Sequence, residues 1–291
     1  MYIILMYQYI GLLFLCYFIK FIRTKNIFES KSIQYKINKI TKNNFIFSIS
    51  LLPYFNKNNI DYFEFYKMID FVSNNKDNYE NIYKNSKISI KIRQLAKTEK
   101  DQQNILENII KYANKKDVFV WISCVLKDDL NIEYNTYLKF LNKNYKNVGL
   151  TLASYNSSIN TKVDNILKLK GHIRLVKGYY YGDINDYKMI TNLYYLNAKK
   201  LVESKNFHTL ATHDFELLNK LKKEYNSDFN NIELAFFYIY FNNVIKNISH
   251  FENIKSFYIP YGSLFKYLIH NILYINLYQV YRSSRYNFLN F

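Results

Sequence analysis

Eight short runs of apolar and β-branched residues recur along the chain, separated by longer stretches with helical periodicity. The runs are FIFSIS (45–50), ISIKI (88–92), VFVWISC (118–124), VGLTLAS (148–154), IRLVKG (173–178), TLATHD (209–214), IELAFF (232–237) and FYIP (257–260). Near-continuous hydrophobicity is typical of parallel strands that are buried on both faces. Eight strands, each followed by a helix, predict an α/β protein with a (β/α)8 barrel of the TIM type.

The stretches between the runs support this interpretation. Helical periodicity is clear at 61–74, 99–115, 187–204 and 215–226. Asp214 is expected to cap the helix that opens at Phe215, and Asn185 or Asp186 the helix before Met189. A doubly wound open sheet is the alternative fold. It would need a glycine-rich turn after the first strand to bind a dinucleotide, and FIFSISLLPYFNK contains no glycine.

The N-terminal segment is apolar and then basic. Its first nineteen residues, MYIILMYQYIGLLFLCYFI, carry no charge, and Lys20, Arg23 and Lys25 follow. As a helix this stretch would be about 28 Å long, close to the thickness of a bilayer core. We therefore expect residues 1–42 to be a separate segment that anchors the chain at a membrane, and residues 43–291 to form the barrel. The basic flank favours a barrel on the cytoplasmic (or matrix) side. A buried or interfacial helix is the alternative for residues 1–19.

Charge and metal-ligand spacing predict neither a nucleic-acid binder nor a metal site. The formal net charge is +17, but the lysines are spread along the chain and form no block. The two cysteines and five histidines show no spacing that is typical of a metal site.

Basic and polar residues fall at or just past the ends of several predicted strands. They are Lys91, Arg174, Lys177, Thr212, His213, Tyr258 and Tyr261. In a (β/α)8 barrel the carboxyl ends of the strands meet at one face, and that face carries the functional groups. The sequence therefore predicts one site built from these side chains.

Three blocks resemble signature blocks of the proline dehydrogenase family: IRLVKGYYYG (173–182), LATHD (210–214) and FYIPYG (257–262). Four weaker blocks, at 88–96, 118–129, 148–155 and 232–238, also lie in the order that the family has. The resemblance covers roughly residues 43–275. It implies a distorted (β/α)8 barrel that holds FAD and oxidises proline to 1-pyrroline-5-carboxylate in proline catabolism. The electrons would pass to a quinone or another membrane acceptor.

The resemblance also implies a role for each matching residue. Arg174 would be the catalytic residue at the reactive edge of the flavin. The cofactor-binding residues would be Lys177, Gly178, Tyr179, Thr212 and His213. A reduced flavin carries negative charge near its N1–C2 edge, which a fixed cation such as Arg174 stabilises. Gly178 would let the backbone approach a ligand closely. Lys91 corresponds to a lysine beside the substrate.

The chain departs from the family's pattern within the barrel strands. Ser123 stands where the family has an aspartate that supports the arginine at the flavin edge, and Ala153 stands where it has a flavin-contacting glutamine. Near the seventh strand, Ala235 and Ile239 replace a glutamine and a glycine. At these positions the flavin site would therefore differ from that of the family.

The substrate side departs further. His270 and Asn271 occupy the positions of the arginine pair that grips the substrate carboxylate. Removing a bidentate arginine from a buried carboxylate costs about 2–5 kcal/mol. Arg282 and Arg285 would lie roughly 18–22 Å further along a continuous helix, too far to substitute. Two interpretations therefore stand: an FAD-dependent oxidoreductase acting on proline or a related cyclic amine, or a catalytically decayed flavin-binding or scaffold barrel.

Overall fold

A closed parallel barrel forms the centre of the structure. The structure, a computed structural model, describes residues 31–51, 62–74, 85–123, 130–178 and 182–261. Within these ranges eight parallel strands pair in chain order, and β8 closes the barrel on β1. The strands are β1 Ile46–Leu51, β2 Lys87–Ile90, β3 Phe119–Ile122, β4 Val148–Ala153, β5 Ile173–Val176, β6 Thr209–Ala211, β7 Glu233–Phe237 and β8 Lys255–Tyr261. The predicted (β/α)8 barrel is confirmed, and the open-sheet alternative is wrong.

In the described chain one helix precedes β1, and one helix follows each strand from β1 to β7. In the described ranges they are α1 Lys31–Thr41, α2 Phe63–Asn74, α3 Glu99–Lys115, α4 Leu130–Asn142, α5 Ile159–Lys168, α6 Tyr187–Glu203, α7 Phe215–Tyr225 and α8 Phe241–Ile248. The predicted caps of two helices are confirmed: Asp186 accepts the N–H of Met189, and Asp214 accepts the N–H of Leu217. The predicted N-terminal helix lies outside the described residues. Among those that are described, no helix is long and apolar enough to cross a bilayer.

Several strands end earlier than the apolar runs predict. The hydroxyl of Thr212 accepts the N–H of Asp214 at 3.1 Å, which turns the chain into α7 and ends β6 at Ala211. Lys91 likewise lies outside β2 and precedes a short 3-10 segment, Ile92–Gln94. The predicted site residues therefore lie mostly on the turns just beyond the strands.

A buried ion pair crosses the barrel at the amino-terminal ends of its strands. Lys87 opens β2 and Glu233 opens β7, and their charged atoms lie 2.7 Å apart with side-chain exposures of 0% and 2%. The hydroxyl of Ser256 donates to the other oxygen of Glu233, and the ammonium of Lys87 lies 5.2 Å from the centre of the Phe207 ring. Removing one partner of such a pair typically costs about 3–5 kcal/mol, because the other charge stays buried.

His208 is buried just before β6. Its Nδ1 accepts the backbone N–H of Ile173 at 3.1 Å, and its Nε2 lies 2.8 Å from the hydroxyl of Ser204. Burial, together with a smaller effect of the neighbouring His172, lowers the pKa of His208 to about 3. The imidazole is therefore neutral in the folded protein across the physiological pH range.

We expect this histidine to make the folded state sensitive to acid. The unfolded chain binds a proton at His208 near pH 6.5, whereas the folded chain does not. The contribution of the neutral His208 to the free energy of unfolding is therefore fully present above that pH and is lost as the pH falls. Between pH 7 and pH 5 this residue should cost the wild type about 2 kcal/mol of unfolding free energy. His208→Asn keeps an acceptor for the Ile173 N–H and should lose correspondingly less over the same interval.

The measurement is urea unfolding at pH 7, 6 and 5. The matched control is His250→Asn, because His250 is exposed in the folded protein whereas His208 is buried. Identical pH slopes for wild type and His208→Asn would contradict the assignment.

Candidate active site

Arg174 is at the centre of the candidate site. It lies on β5, is 6% exposed, and makes all its described hydrogen bonds to hydroxyl groups. Its Nε donates to Thr151 Oγ1 at 3.0 Å, and its Nη1 to Ser89 Oγ at 2.9 Å. A longer contact of 3.5 Å joins Nη2 to Ser123 Oγ. Three hydroxyls from β2, β4 and the end of β3 thus fix the orientation of the guanidinium.

Two aromatic rings complete the surroundings of Arg174. The guanidinium carbon lies 5.3 Å from the centre of the Trp121 ring and 5.9 Å from that of Tyr258. A Cβ added at Gly149 would lie 2.3 Å from the Trp121 ring, so the glycine makes room for that ring inside the barrel. Cation–π contacts of this kind hold a guanidinium without neutralising it.

The charge of Arg174 is not balanced by any described carboxylate at ion-pair distance. Burial lowers the pKa of Arg174 to about 10, while Tyr258 and Glu233 raise it, so the guanidinium is charged at neutral pH. The carboxylate of Glu233 is already paired with Lys87. Among the described residues, Arg174 is therefore a buried cation with neutral contacts. Such a group favours an anion in its vicinity.

Lys91 is a second cation, just beyond the carboxyl end of β2. It follows β2, two residues after Ser89, whose hydroxyl binds Arg174. Burial lowers the pKa of the half-buried Lys91 to about 8, and Glu133 partly offsets this effect. The ammonium is therefore largely protonated at pH 7 and loses its charge under mildly alkaline conditions.

Lys177 has two partners on neighbouring elements. Its ammonium forms an ion pair with Asp214 and donates to the hydroxyl of Tyr187 at 2.7 Å. The same ammonium lies 4.4 Å from the centre of the Tyr187 ring. Asp214 uses its other oxygen to accept the N–H of Leu217 at 3.0 Å, which caps α7. Lys177 thus joins the turn after β5 to the starts of α6 and α7.

His213 is directed away from that ion pair. Its Nε2 accepts the backbone N–H of Phe237 at 3.2 Å, which places the ring proton on Nδ1. Nδ1 is buried and has no hydrogen-bond partner among the described residues. Burial lowers the pKa of His213 to about 4. Aromatic rings of Phe236, Phe237 and Tyr240 lie around the imidazole.

The predicted residues thus form groups rather than one cluster. Arg174 lies inside the barrel, Lys177 and Thr212 both contact Asp214, and the ring of His213 faces β7. A Cβ added at Gly178 would meet Tyr155 at 3.4 Å, an ordinary contact, so packing of the described chain does not require glycine there. The predicted site residues Tyr179, His270 and Asn271 lie outside the described residues, and their roles stay predictions.

The hydroxyl groups around Arg174 were not predicted from the sequence. Ser89 and Thr151 supply two of them, and each lies within a run of mainly apolar residues. A signal was present, because polar residues at alternate positions of such a run share one face of the strand. The ion pair between Lys177 and Asp214, which was predicted only as a helix cap, was not predicted either.

Comparisons with known proteins gave matches in structure and none in sequence. No family model matches the chain, and neither does any curated protein. A proline utilization A from Bdellovibrio bacteriovorus, inactivated by N-propargylglycine, matches with a TM-score of 0.68 at 15% identity, over 80% of this chain and 30% of its own. A Bradyrhizobium japonicum proline utilization A mutant matches with a TM-score of 0.68 at 18% identity, over 78% of this chain and 28% of its own.

A third match is to a proline utilization A with proline bound in remote sites, with a TM-score of 0.65 at 17% identity. It covers 78% of this chain and 28% of the matched chain. This chain therefore spans less than a third of the length of these relatives. At these identities the likeness is one of fold, and the barrel has the fold found in proline utilization A structures.

Proposed function

We propose that the chain is a flavin-dependent oxidoreductase of the proline dehydrogenase type, which binds FAD at the carboxyl end of the barrel. The observation that carries the proposal is Arg174, a buried guanidinium whose described contacts are all neutral. The sequence blocks around Arg174 and Asp214 resemble those of the proline dehydrogenase family, and the fold agrees with that resemblance.

The described residues fit a flavin at its anionic edge. A reduced flavin ring carries negative charge at N1–C2, and a fixed guanidinium in a dry site stabilises such charge strongly. The hydroxyls of Ser89 and Thr151 orient Arg174 without neutralising it. The buried Nδ1–H of His213 is a donor that suits an acceptor oxygen.

The chain's own groups then have separate tasks. FAD, when bound, supplies the acceptor for a hydride from the carbon next to the substrate nitrogen. Arg174 holds the developing negative charge in place. Lys91, with His270 and Asn271, is proposed to face the substrate carboxylate. Because its pKa is about 8, Lys91 is a cation at pH 7 and ceases to be one as the pH rises further.

The proposed substrate is proline or a related cyclic amine, and the proposed electron acceptor is a quinone or another membrane carrier. The apolar residues 1–19 support association with a membrane, with the barrel on the cytoplasmic (or matrix) side. These assignments rest on the resemblance and on the N-terminal composition.

A decayed flavin-binding or scaffold barrel is the second candidate. Two observations favour it: Ser123 offers Arg174 a hydroxyl where the family has a carboxylate, and Lys177 is already paired with Asp214. The two candidates differ in one result. An active enzyme bleaches its flavin when proline is added, whereas a scaffold does not.

Arg174→Gln should slow proline-dependent flavin reduction at least tenfold, or about 1.4 kcal/mol in barrier height. It should also lower the midpoint potential of the bound flavin, because the reduced form loses its cation. Arg174→Lys keeps the charge, so its rate of flavin reduction and its midpoint potential should lie between those of wild type and Arg174→Gln. The measurements are anaerobic stopped-flow reduction and a redox titration.

Thr151→Val is the matched control, since it removes one partner of Arg174 and keeps the charge. A bound flavin with the same potential in wild type and Arg174→Gln would place the flavin elsewhere and contradict the proposal.

Restoring the family's charged residues should strengthen a weak proline site. His270→Arg and Asn271→Arg together with Ser123→Asp are expected to raise proline-dependent flavin reduction at least tenfold, because a planar guanidinium binds a carboxylate bidentately and imidazole does not. Stopped-flow reduction at several proline concentrations measures the change.

Two outcomes would count against this expectation. Wild type reducing its flavin as fast as the triple variant would mean that another group already holds the carboxylate. Failure of both proteins to bind flavin would favour the scaffold candidate.

A further inference from the structure

We propose that Asp214 is a specificity-determining residue that withholds Lys177 from the phosphates of a bound flavin. The inference rests on the proposed function, in which the carboxyl end of the barrel binds a flavin. On this proposal the wild-type site recognises the ring of a flavin and gains little from its phosphate groups.

The ion pair between Lys177 and Asp214 is the first observation. Their side chains are only 10% and 17% exposed, so water screens the pair weakly. A phosphate that approached Lys177 would have to displace a carboxylate that is already in place. Asp214 is therefore an internal competitor for any anionic ligand of this lysine.

The second observation is that Asp214 is anchored independently of Lys177. One of its oxygens accepts the N–H of Leu217 at 3.0 Å, and its own N–H donates to the hydroxyl of Thr212. These bonds keep the carboxylate at the start of α7. The competitor is thus held at its position by the backbone and cannot easily swing aside.

The third observation concerns the chain around Lys177. The ammonium also donates to Tyr187, the first residue of α6, and lies against its ring. Lys177 and Tyr187 therefore flank the connection between β5 and α6, and Asp214 holds that arrangement from the neighbouring turn. Neutralising Asp214 would leave Lys177 a cation with a neutral hydroxyl partner, which suits a phosphate.

Asp214→Asn is a clean test of this inference, because asparagine caps helices as well as aspartate does. The experiment measures dissociation constants of riboflavin, FMN and FAD by flavin fluorescence for full-length wild type and variant. Riboflavin carries the same ring without phosphate. Wild type should bind the three flavins within a few fold of each other, and Asp214→Asn should strengthen FMN and FAD at least tenfold over riboflavin.

Asp186→Asn is the matched control. It also removes the charge of an aspartate that caps a helix, here α6, but Asp186 is exposed. This control should keep the wild-type ratios. Lys177→Met covers the case in which Asp214→Asn folds poorly: it should leave the wild-type FAD affinity within threefold, because the lysine is already occupied.

The outcomes are separable. Unchanged flavin ratios in Asp214→Asn, or a tenfold loss of FAD affinity in Lys177→Met, would overturn the inference while leaving the proposed function intact. If no protein binds any flavin, the proposed function fails, and inorganic pyrophosphate becomes the deciding probe. A larger thermal stabilisation of Asp214→Asn than of wild type by pyrophosphate would then support the role of Asp214, and equal stabilisation would overturn it.

Discussion

A buried guanidinium surrounded by hydroxyls is the constraint on which the candidate site depends. Taking a charge out of water costs several kcal/mol, and hydrogen bonds to neutral groups return part of that cost. The guanidinium of Arg174 donates to the hydroxyls of Thr151 and Ser89 and, at a longer distance, to that of Ser123. Two aromatic rings also lie against it. An arrangement of this kind orients a cation but leaves its charge available. The electrostatic case for an anionic ligand follows from that availability.

Two other buried cations of the described barrel show the contrast. Lys87 is paired with Glu233 near the amino ends of the strands, and Lys177 is paired with Asp214 on the turns beyond them. Each of these pairs joins separate elements and neutralises its lysine. Arg174 lies on a strand between the two levels and has no such partner among the described residues. Lys87 and Lys177 thus have a structural role in their ion pairs, whereas the charge of Arg174 is suited to a ligand.

The sequence predicted the elements of the fold well, because apolar runs and helical periodicity are local signals. The predicted helix at 99–115 matches α3. Residue type alone predicted one cap at Asp214 and another at Asn185 or Asp186, and the structure has Asp186 in that role. Strand ends were predicted too late where a side chain turns the backbone, as Thr212 does after β6. That bond depends on a local conformation that periodicity does not encode.

Contacts between residues that lie far apart in the chain were not predicted from the sequence. Lys87 and Glu233 are 146 positions apart, and Lys177 and Asp214 are 37 apart, so only the closed barrel brings them together. Arg174 was identified from a family resemblance, and its hydroxyl partners required the strand register. His213 was expected to face a ligand, whereas one of its nitrogens accepts a backbone N–H from β7. The register of neighbouring strands decides such details.

The most direct test of the account is the stability of the ligand-free protein after Arg174→Met, compared with Lys87→Met, by urea unfolding at pH 7. Lys87→Met leaves Glu233 buried and unpaired and should cost about 3–5 kcal/mol. Arg174→Met removes a charge that no described carboxylate balances, and Ser89 keeps a second hydroxyl contact, to Ser48 at 3.3 Å. We therefore expect Arg174→Met to lie within about 1 kcal/mol of wild type, or above it. A loss as large as that of Lys87→Met would show that Arg174 is a structural residue and would contradict its assignment to a ligand.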